Sequence, residues 1–394
     1  MRRITVIAGT LAFVAIAVVI YTGWERTREL TLPTPTGASS VGRVIYDWID
    51  ADTSGPLAPT AGGRRELLAW VWYPSSQAGT TEYIPTAMRT AGWSQSGLLG
   101  WLTHDLSRVH AHSTDNGEVL PAEAPYPVAI LRGGASAPVV NYTTIAEDLA
   151  SHGYIVVGID APYRTGVVVF PDGRVMRRTP ENNPELCDGP EKRECFNRLL
   201  SVWVADIGFA IDQLVKLNTS DPTGRFTGRI DLTRIGVFGH SFGGSQAAQF
   251  CHDDARCKAG IDIDGIPLGS VIQEGMQQPF LFVFSAQIHA TDPDSRAVQA
   301  DIQSLYDHLP AVGRARVAIR GSFHFTFSDD GALLKSSAIR GVLKAIGLQR
   351  IDGARQLEVT AYCVRTFFDA YIRRQSTSPA CLASPNYPEI ELLD

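Results

Sequence analysis

Long basic runs are missing from this chain of 394 residues. Lys and Arg never stand more than two in a row, and 35 basic residues are outnumbered by 41 acidic ones, which gives a net charge of −6. Because proteins that bind nucleic acid usually carry a basic patch or stripe, no nucleic-acid partner is expected. Glycine-rich phosphate loops and the dinucleotide fingerprint are missing too, so the sequence implies no cofactor.

Internal repeats and low-complexity tracts are also missing. Apolar residues make up 44% of the chain and charged residues 19%, with 36 Gly and 23 Pro. This composition is typical of a folded globular protein with many turns. Residues 25–63 are rich in turn formers and predict a tether followed by irregular structure. The simplest division then places one large domain at residues 64–394.

The chain has one long apolar segment, at its N-terminus. Residues 4–21 carry no charge and follow Arg2 and Arg3. As a helix, residues 4–24 would be roughly 31 Å long, about the thickness of the hydrocarbon core of a bilayer. Cleaved signal peptides usually have a shorter apolar core, so the pattern favours an uncleaved membrane anchor over a signal peptide in residues 1–24. Either one predicts that the rest of the chain lies outside the cytoplasm, in the cell envelope or secreted.

The six cysteines all follow this apolar segment. An even number of cysteines in an exported chain predicts disulfides. The spacing favours three local pairs, which are Cys187 with Cys195, Cys251 with Cys257, and Cys363 with Cys381. The stretch 251–257 also contains a histidine, but it lacks a second ligand pair at zinc spacing, so no metal site is expected.

Short apolar, β-branched segments alternate with helical patterns along the chain. Unbroken hydrophobicity marks strands that are buried on both faces, which is typical of a parallel sheet. Such strands are predicted at residues 127–131, 154–159, 235–238 and 280–284, after an early strand at 65–73. Helices are predicted at residues 143–152, 196–217, 245–250, 297–308 and 360–373. The alternation predicts an α/β fold with a mostly parallel, doubly wound sheet.

A serine motif follows the predicted strand at 235–238. Gly-His-Ser-Phe-Gly-Gly at 239–244 has the pattern G-x-S-x-G between a strand and a helix, which is the setting of a nucleophile elbow in the α/β-hydrolase fold. The sharp turn brings the backbone close on both sides of the serine, so Gly239 and Gly243 are predicted to be structural glycines. Ser241 is therefore the predicted nucleophile, and the backbone N–H of Phe242 is the predicted first oxyanion donor.

A serine hydroxyl needs a base, which in this fold comes last in the chain. His324 lies in Gly-Ser-Phe-His-Phe, just after the strand-like residues 315–320. A loop past a strand end is where a triad histidine belongs, so His324 is the predicted base. His289 is the alternative.

The sequence offers two candidates for the acid that orients this base, because aspartates follow two of the predicted strands. Asp262 and Asp264 lie in Gly-Ile-Asp-Ile-Asp-Gly at 260–265. A period of two puts both on the same side of a strand, with Asp264 nearer the loop. Asp292 and Asp294 follow the next predicted strand. Local reasoning favours Asp264 and leaves both strand ends open.

These residues resemble the motifs of the platelet-activating factor acetylhydrolase (plasma, type II) family of α/β-hydrolases and its bacterial dienelactone-hydrolase-like relatives. The similarity runs from about residue 127 to the C-terminus, and the serine motif has the family's form. A Gly-Ile-x-x-Asp stretch that ends at Asp264 and precedes Pro-Leu-Gly fits the family's acid, and the Gly-Ser before His324 fits its histidine. The resemblance implies a catalytic triad of Ser241, Asp264 and His324.

The resemblance also implies a second oxyanion donor. Relatives carry a His-Gly-x-Gly run in the loop after the strand at 127–131, whereas this chain has Arg-Gly-Gly-Ala at 132–135. The backbone N–H of Gly134 is the implied donor. The chain departs from the family at Arg132 and at Ala135.

The activity implied by the resemblance is hydrolysis of carboxylic esters through an acyl-enzyme. Short acyl chains, including phospholipid acetyl esters, are the expected small-molecule or lipid substrates. A polyesterase or xenobiotic carboxylesterase with the same triad is the rival enzyme. A non-catalytic, membrane-tethered binding protein on a hydrolase scaffold is the rival of another class. The sequence leaves the oligomeric state open.

Two further features are left open by the sequence. Residues 170–198 form an insertion at a position where lids arise, and the insertion contains two of the cysteines. Four aromatic residues are interpreted as core residues rather than as the lining of an acyl site, because scattered aromatics are more often buried in the core. They are Trp93, Trp101, Tyr163 and Phe170.

Overall fold

The structure is a computed structural model that describes residues 2–54, 57, 63–92, 103–334, 337–345, 350–376 and 378–393. Ten strands of this part of the chain form one sheet. In chain order they are β1 (Ser40–Ser54), β2 (Arg64–Ser75), β3 (Ser113–Asp115), β4 (Tyr126–Arg132), β5 (Ile155–Asp160), β6 (Ile230–His240), β7 (Cys257–Ile263), β8 (Phe280–Phe284), β9 (Arg314–Ile319) and β10 (Ile390–Leu393). Across the sheet the order is β10-β9-β8-β7-β6-β4-β5-β2-β1-β3.

The central strands of the sheet are parallel. From β9 through β8, β7, β6 and β4 to β5, each strand runs parallel to its neighbour. Strand β2 is antiparallel to both β5 and β1, and β10 is antiparallel to β9. The predicted α/β fold with a large, mostly parallel sheet is confirmed. The carboxyl ends of the central strands therefore meet at one edge of the sheet, where ligands bind in open α/β folds.

Helices cover both faces of the sheet. The described helices are α1 (Arg2–Arg26), α2 (Thr86–Thr90), α3 (Thr143–Ser151), α4 (Lys192–Thr219), α5 (Phe242–Asp253), α6 (Val271–Glu274), α7 (Pro293–Asp307), α8 (Asp330–Leu333), α9 (Ser337–Ala345) and α10 (Gly353–Tyr371). Helices α3 and α10 contribute Leu149 and Phe367 to the core on one face. Helices α4, α5 and α7 contribute Trp203, Phe250 and Leu305 to the core on the other. Burial on both faces explains the unbroken apolar runs of the strands between them.

Short strands form two smaller sheets. One contains Leu30–Thr31, Val109–Ala111 and Thr81–Glu82, and the other is the hairpin of Val167–Val169 with Val175–Arg177. The hairpin lies at the start of the predicted insertion 170–198. Turns of 3-10 helix fill most of the rest of that insertion before α4 begins.

The segment predicted to be irregular, residues 25–63, contains a long strand, so that prediction was wrong for β1. Strand β1 pairs with β2 along most of its length. Its side chains include the buried Val41, Val44 and Trp48. The run of β-branched and aromatic residues at 41–49 favours a strand. The turn formers on both sides of this run predict irregular structure, which is why the strand is missed from the sequence.

The N-terminal residues 2–26 form α1. Among the described residues, no helix has both the length and the apolar character needed to cross a membrane. The anchor or signal expected at residues 1–24 stays a prediction.

Two of the three expected disulfides are present. Cys187 is bonded to Cys195, and Cys251 is bonded to Cys257. The third expected pair was wrong for this structure, since Cys363 and Cys381 are both free and buried. Their thiols interact through a side-chain hydrogen bond instead, which raises the pKa of Cys363 above its usual range.

Candidate active site

Ser241 lies at a sharp turn between β6 and α5. Its backbone has φ 57° and ψ −124°, which is a strained conformation for a residue with a side chain. A Cβ at Gly239 would overlap the carbonyl group of Gly243, and a Cβ at Gly243 would overlap the carbonyl oxygen of Arg132. Both glycines are therefore required by close backbone contacts, as expected for an elbow.

The predicted nucleophile, base and acid lie together at the carboxyl edge of the sheet. Ser241 follows β6, Asp264 follows β7, and His324 follows β9. Nε2 of His324 lies 3.1 Å from Oγ of Ser241, and its Nδ1 lies 2.7 Å from Oδ2 of Asp264. This is the geometry of a hydroxyl activated by a base that a carboxylate orients.

Asp264 is held from two sides. One of its oxygens faces His324, and the other accepts a hydrogen bond from the backbone N–H of Ser285 at 2.6 Å. The residue itself has φ 53°, so the chain turns directly after β7. The turn carries the carboxylate beyond the strand end, where it reaches the imidazole.

The alternative residues lie elsewhere. Asp292 caps the N-terminus of α7 by accepting a hydrogen bond from the backbone N–H of Ser295, and Asp294 is in the first turn of that helix. The side chain of His289 is 56% exposed and lies 3.7 Å from Glu391. Within the described ranges, none of these three side chains forms a hydrogen bond with Ser241.

Asp262 is the carboxylate next to the predicted acid, and it faces the interior. Its Oδ1 accepts a hydrogen bond from the backbone N–H of Gly265 at 2.8 Å, and a Cβ at Gly244 would overlap its carboxyl group. Burial raises the pKa of Asp262 to about 8. Asp262 thus lies under the first turn of α5 rather than beside the histidine.

The two predicted oxyanion donors differ in their present partners. The backbone N–H of Phe242 is at the first position of α5 and has no hydrogen-bond acceptor in the described part of the chain. The loop at residues 133–137, called the oxyanion loop below, brings Gly134 close enough that a Cβ there would contact Cβ of Ser241 at 3.5 Å. The N–H of Gly134, however, donates to the hydroxyl of Tyr142 at 3.1 Å.

Arg132 anchors the start of this loop. Its side chain is buried, its Nε donates to Oε1 of Gln246 at 2.6 Å, and its Nη1 donates to the carbonyl of Ile159 at 2.8 Å. Burial lowers the pKa of the guanidinium to about 10, so it stays charged at neutral pH. The arginine therefore ties the loop to α5 and to the end of β5.

Two residues near the site were not singled out by sequence reasoning. Nδ1 of His240 lies 2.9 Å from the hydroxyl of Tyr142, and the rings of His240 and His324 have centroids 4.6 Å apart. Burial, followed by the charge of His324, lowers the pKa of His240 to about 3. His240 is a variable position of the serine motif, and no spacing in the sequence marks Tyr142.

The prediction that four aromatic residues belong to the core is confirmed for one of the two that the structure describes. Phe170 is buried, as expected. Tyr163 is half-buried and lines a cavity of about 350 Å³ together with Arg65 and Arg164. Trp93 and Trp101 lie outside the described residues.

The residue that follows the nucleophile has aromatic neighbours on α4. The ring of Phe242 contacts Trp203 edge-on, with centroids 4.8 Å apart, and lies 6.2 Å from the ring of Phe196. Phe196 directly follows the disulfide-bonded Cys195 of the insertion. The insertion therefore ends against the nucleophile elbow.

In the described part of the chain, no group of three or more His, Cys, Asp or Glu side chains is placed to hold a metal ion.

Comparisons with known proteins point to ester hydrolases. The family model described as platelet-activating factor acetylhydrolase, isoform II, matches residues 191–375. The chain is similar to this family over that segment. A relative from Arthroderma benhamiae, named probable 1-alkyl-2-acetylglycerophosphocholine esterase, is 26% identical over 92% of this chain and 94% of its own length. The platelet-activating factor acetylhydrolase of Canis lupus familiaris is 25% identical over 77% of this chain and 69% of its own length.

A solved structure agrees as well. The ferulic acid esterase from Streptomyces cinnamoneus has a TM-score of 0.74 and 25% sequence identity, and the match covers 93% of this chain and 99% of that one. The resemblance to platelet-activating factor acetylhydrolases and the prediction of an ester hydrolase are confirmed.

Proposed function

We propose that this relative of platelet-activating factor acetylhydrolases hydrolyses carboxylic esters through an acyl-enzyme on Ser241. The observation that carries the proposal is the continuous hydrogen-bonded chain from Ser241 Oγ through His324 to Asp264. A serine with only a structural role in a turn would not need an imidazole at hydrogen-bond distance that is itself oriented by a carboxylate. The chain of contacts, placed on an elbow with an unoccupied N–H at Phe242, matches what acyl transfer requires.

The reaction has two steps. In the first, Nε2 of His324 removes the proton from Oγ of Ser241 while Oγ attacks the ester carbonyl, and the tetrahedral intermediate then expels the alcohol, which takes the proton from His324. In the second, His324 removes a proton from water while the water oxygen attacks the acyl-serine, and the second tetrahedral intermediate then releases the carboxylic acid as Oγ of Ser241 takes the proton back from His324. Asp264 stays ionised and stabilises the imidazolium that forms in each step.

The oxyanion is stabilised at the N-terminus of α5. The N–H of Phe242 donates to the negatively charged oxygen, and the dipole of a 12-residue helix points its positive end there. The N–H of Gly134 is the second donor, and it shares its proton between the hydroxyl of Tyr142 and the oxyanion, so that the loop stays anchored while it donates.

The proposed substrates are esters with short acyl chains, including phospholipid acetyl esters, as the names of the relatives suggest. Two apolar side chains flank the acid and base on the surface. Phe325 is 64% exposed and its ring lies 5.3 Å from that of His324, while Ile266, two residues after Asp264, is 50% exposed. These side chains give an apolar rim to the site, which suits an ester with an apolar group.

An aryl ester is the second candidate, and the likeness to a ferulic acid esterase over nearly the whole chain favours it. A substrate panel separates the candidates. It contains a 2-acetyl phospholipid, methyl ferulate, p-nitrophenyl acetate and a polyester film. The highest kcat/KM identifies the class, and activity on the film alone would support a polyesterase instead.

The variant Ser241→Ala tests the triad, with Ser201→Ala on the exposed side of α4 as the matched control. We expect Ser241→Ala to lower kcat for p-nitrophenyl acetate by about 10⁴-fold or more, because the nucleophile is removed, and Ser201→Ala to leave it unchanged. A fluorophosphonate probe should label the wild type and the control but not Ser241→Ala. A wild type that neither hydrolyses the panel nor takes the probe would be a binding protein on a hydrolase scaffold.

The proposed site of action is outside the cytoplasm. Two disulfides support this location, and the N-terminal helix would serve as an export signal or as an anchor in the membrane. The mass of the mature protein purified from its host distinguishes a cleaved leader from a retained one.

A further inference from the structure

Tyr142 is buried behind the oxyanion loop. It ends the 3-10 helix Val139–Tyr142, directly before α3, and is 1% exposed. Its hydroxyl oxygen accepts the hydrogen bond from the N–H of Gly134 and lies 2.9 Å from Nδ1 of His240. One hydroxyl group therefore joins the oxyanion loop to the residue that precedes the nucleophile.

The direction of these hydrogen bonds follows from the state of His240. The imidazole is neutral at neutral pH, so one of its nitrogens carries a proton and the other accepts. The hydroxyl of Tyr142 carries one proton, and within the described residues the acceptor next to it is Nδ1 of His240, which assigns the imidazole proton to Nε2. Nδ1 then accepts from the hydroxyl of Tyr142, and the hydroxyl oxygen accepts from Gly134.

Gly134 is the point where these groups converge on the nucleophile. A Cβ built there would lie 3.5 Å from Cβ of Ser241, 3.5 Å from the hydroxyl oxygen of Tyr142 and 3.7 Å from Nδ1 of His240. The oxyanion site is thus bordered by a backbone segment that this phenol helps to hold in place. Since misplacing a catalytic group by about 1 Å can cost about 100-fold in rate, the position of this segment matters for the reaction.

The histidine at the other end of the chain touches the base. The rings of His240 and His324 are inclined by 39° at a centroid distance of 4.6 Å, and Phe327 lies against His240 at 5.9 Å. Contacts with two neighbouring rings restrict the orientation of the His240 imidazole and, through it, that of His324. Tyr142 therefore contacts the backbone at Gly134 directly, and it reaches the imidazole of His324 through His240. Both groups lie next to Ser241.

We propose that Tyr142 is a positioning residue for ester hydrolysis: its hydroxyl anchors the oxyanion loop at Gly134 and orients His240 against His324. The inference rests on the proposed function. A phenylalanine at this position fills the same buried space but leaves the N–H of Gly134 and Nδ1 of His240 without this partner. The loss then falls on the geometry of the transition state rather than on the binding of the ester.

The test compares Tyr142→Phe with Tyr154→Phe. Tyr154 is also buried, and its hydroxyl donates to Asp369 on α10 at 2.9 Å, so this control removes a buried hydroxyl that does not touch the oxyanion loop. Hydrolysis of p-nitrophenyl acetate is measured per active site, with active sites counted by fluorophosphonate titration. For Tyr142→Phe we expect kcat to fall about 10-fold or more while KM changes less than about twofold. For Tyr154→Phe we expect an unchanged kcat and a lower Tm.

Two results would overturn the inference. If kcat of Tyr142→Phe stays within about twofold of the wild type, the hydroxyl has only a structural role like that of Tyr154. If kcat rises, the phenol competes with the oxyanion for the N–H of Gly134 instead of positioning the loop.

A second variant protects the test against a Tyr142→Phe protein that does not fold. The amide of asparagine can take the place of Nδ1, so His240→Asn should keep the partner of Tyr142 and lose less kcat than His240→Ala. Equal losses for the two variants would contradict the inference. An inactive wild type that also resists the fluorophosphonate would instead remove the proposed function, and the inference with it.

Discussion

Asp262 and Asp264 are two residues apart at the end of β7, yet their environments are opposite. The side chain of Asp264 is 11% exposed and both of its oxygens have partners. Asp262 is completely buried, its Oδ2 has no hydrogen-bond partner among the described residues, and its pKa is raised to about 8. A period of two puts them on the same side of an extended strand. The positive φ of Asp264 ends the strand first, so only Asp264 reaches the histidine.

The position of a carboxylate relative to the end of the strand therefore determines its protonation state. A carboxylate past the end can stay ionised and orient an imidazole. A carboxylate one pleat earlier loses its water, and desolvation favours its protonated form.

The largest expected effect separates the two aspartates by activity. Asp264→Asn should lower kcat for p-nitrophenyl acetate by about 10⁴-fold, because the amide no longer stabilises the imidazolium or holds its tautomer. Asp262→Asn should keep kcat within about threefold of the wild type, because an amide resembles the protonated acid. Reversed effects in the same assay would transfer the role of the acid to Asp262.

A smaller expected effect distinguishes the two aspartates by the pH dependence of the free energy of unfolding. In the unfolded chain Asp262 has its ordinary pKa of 3.8, and in the folded chain the pKa is about 8. Between these values the folded state holds a proton that the unfolded state has lost, so the free energy of unfolding should fall as the pH rises from about 4 to about 8. Urea denaturation across this range measures the slope.

Asp262→Asn is the control for this slope, because it removes the titration and keeps the shape. Asp160 and Asp329 also have pKa values raised by burial, to about 7 and about 8, and they keep part of the slope in both proteins. The difference between wild type and Asp262→Asn therefore isolates Asp262. Parallel curves for the two proteins would contradict the raised pKa.

The smallest effect concerns the other strand end that was weighed for the acid. Asp292→Ala removes the N-cap of α7 and should lower the free energy of unfolding by about 1 kcal/mol. Because Asp292 does not contact His324, kcat per active site should not change. A large loss of kcat in a protein that still folds would show that the acid comes from this loop.

The catalytic constellation could be predicted from the sequence because its signals are local. The serine motif needs glycines at fixed positions around Ser241, and His324 follows a recognisable strand. The resemblance to a family singled out Asp264 where spacing alone left Asp292 and Asp294 open. The roles of these residues in catalysis stay predictions that the variants above test.

Contacts between distant segments could not be predicted. The hydrogen bond between Gly134 and Tyr142 depends on how the turn after β4 packs. The hydrophobic periodicity of the sequence contains no information on this packing. The length of α5 was underestimated at its start, because glycines at 243 and 244 read as turn formers although close packing requires them. Strand β1 was missed because its apolar run lies between turn-rich segments.

Trapping of the acyl-enzyme tests the central claim most directly. The wild type is mixed with p-nitrophenyl acetate, quenched in acid within the first turnovers and digested, and the peptides are analysed by mass. The account predicts one added acetyl group on the peptide that contains Ser241, and none on the corresponding peptide of Ser241→Ala. Rapid release of nitrophenol by the wild type with Ser241 unmodified, or an acetyl group on another residue that turns over at the same rate, would contradict it.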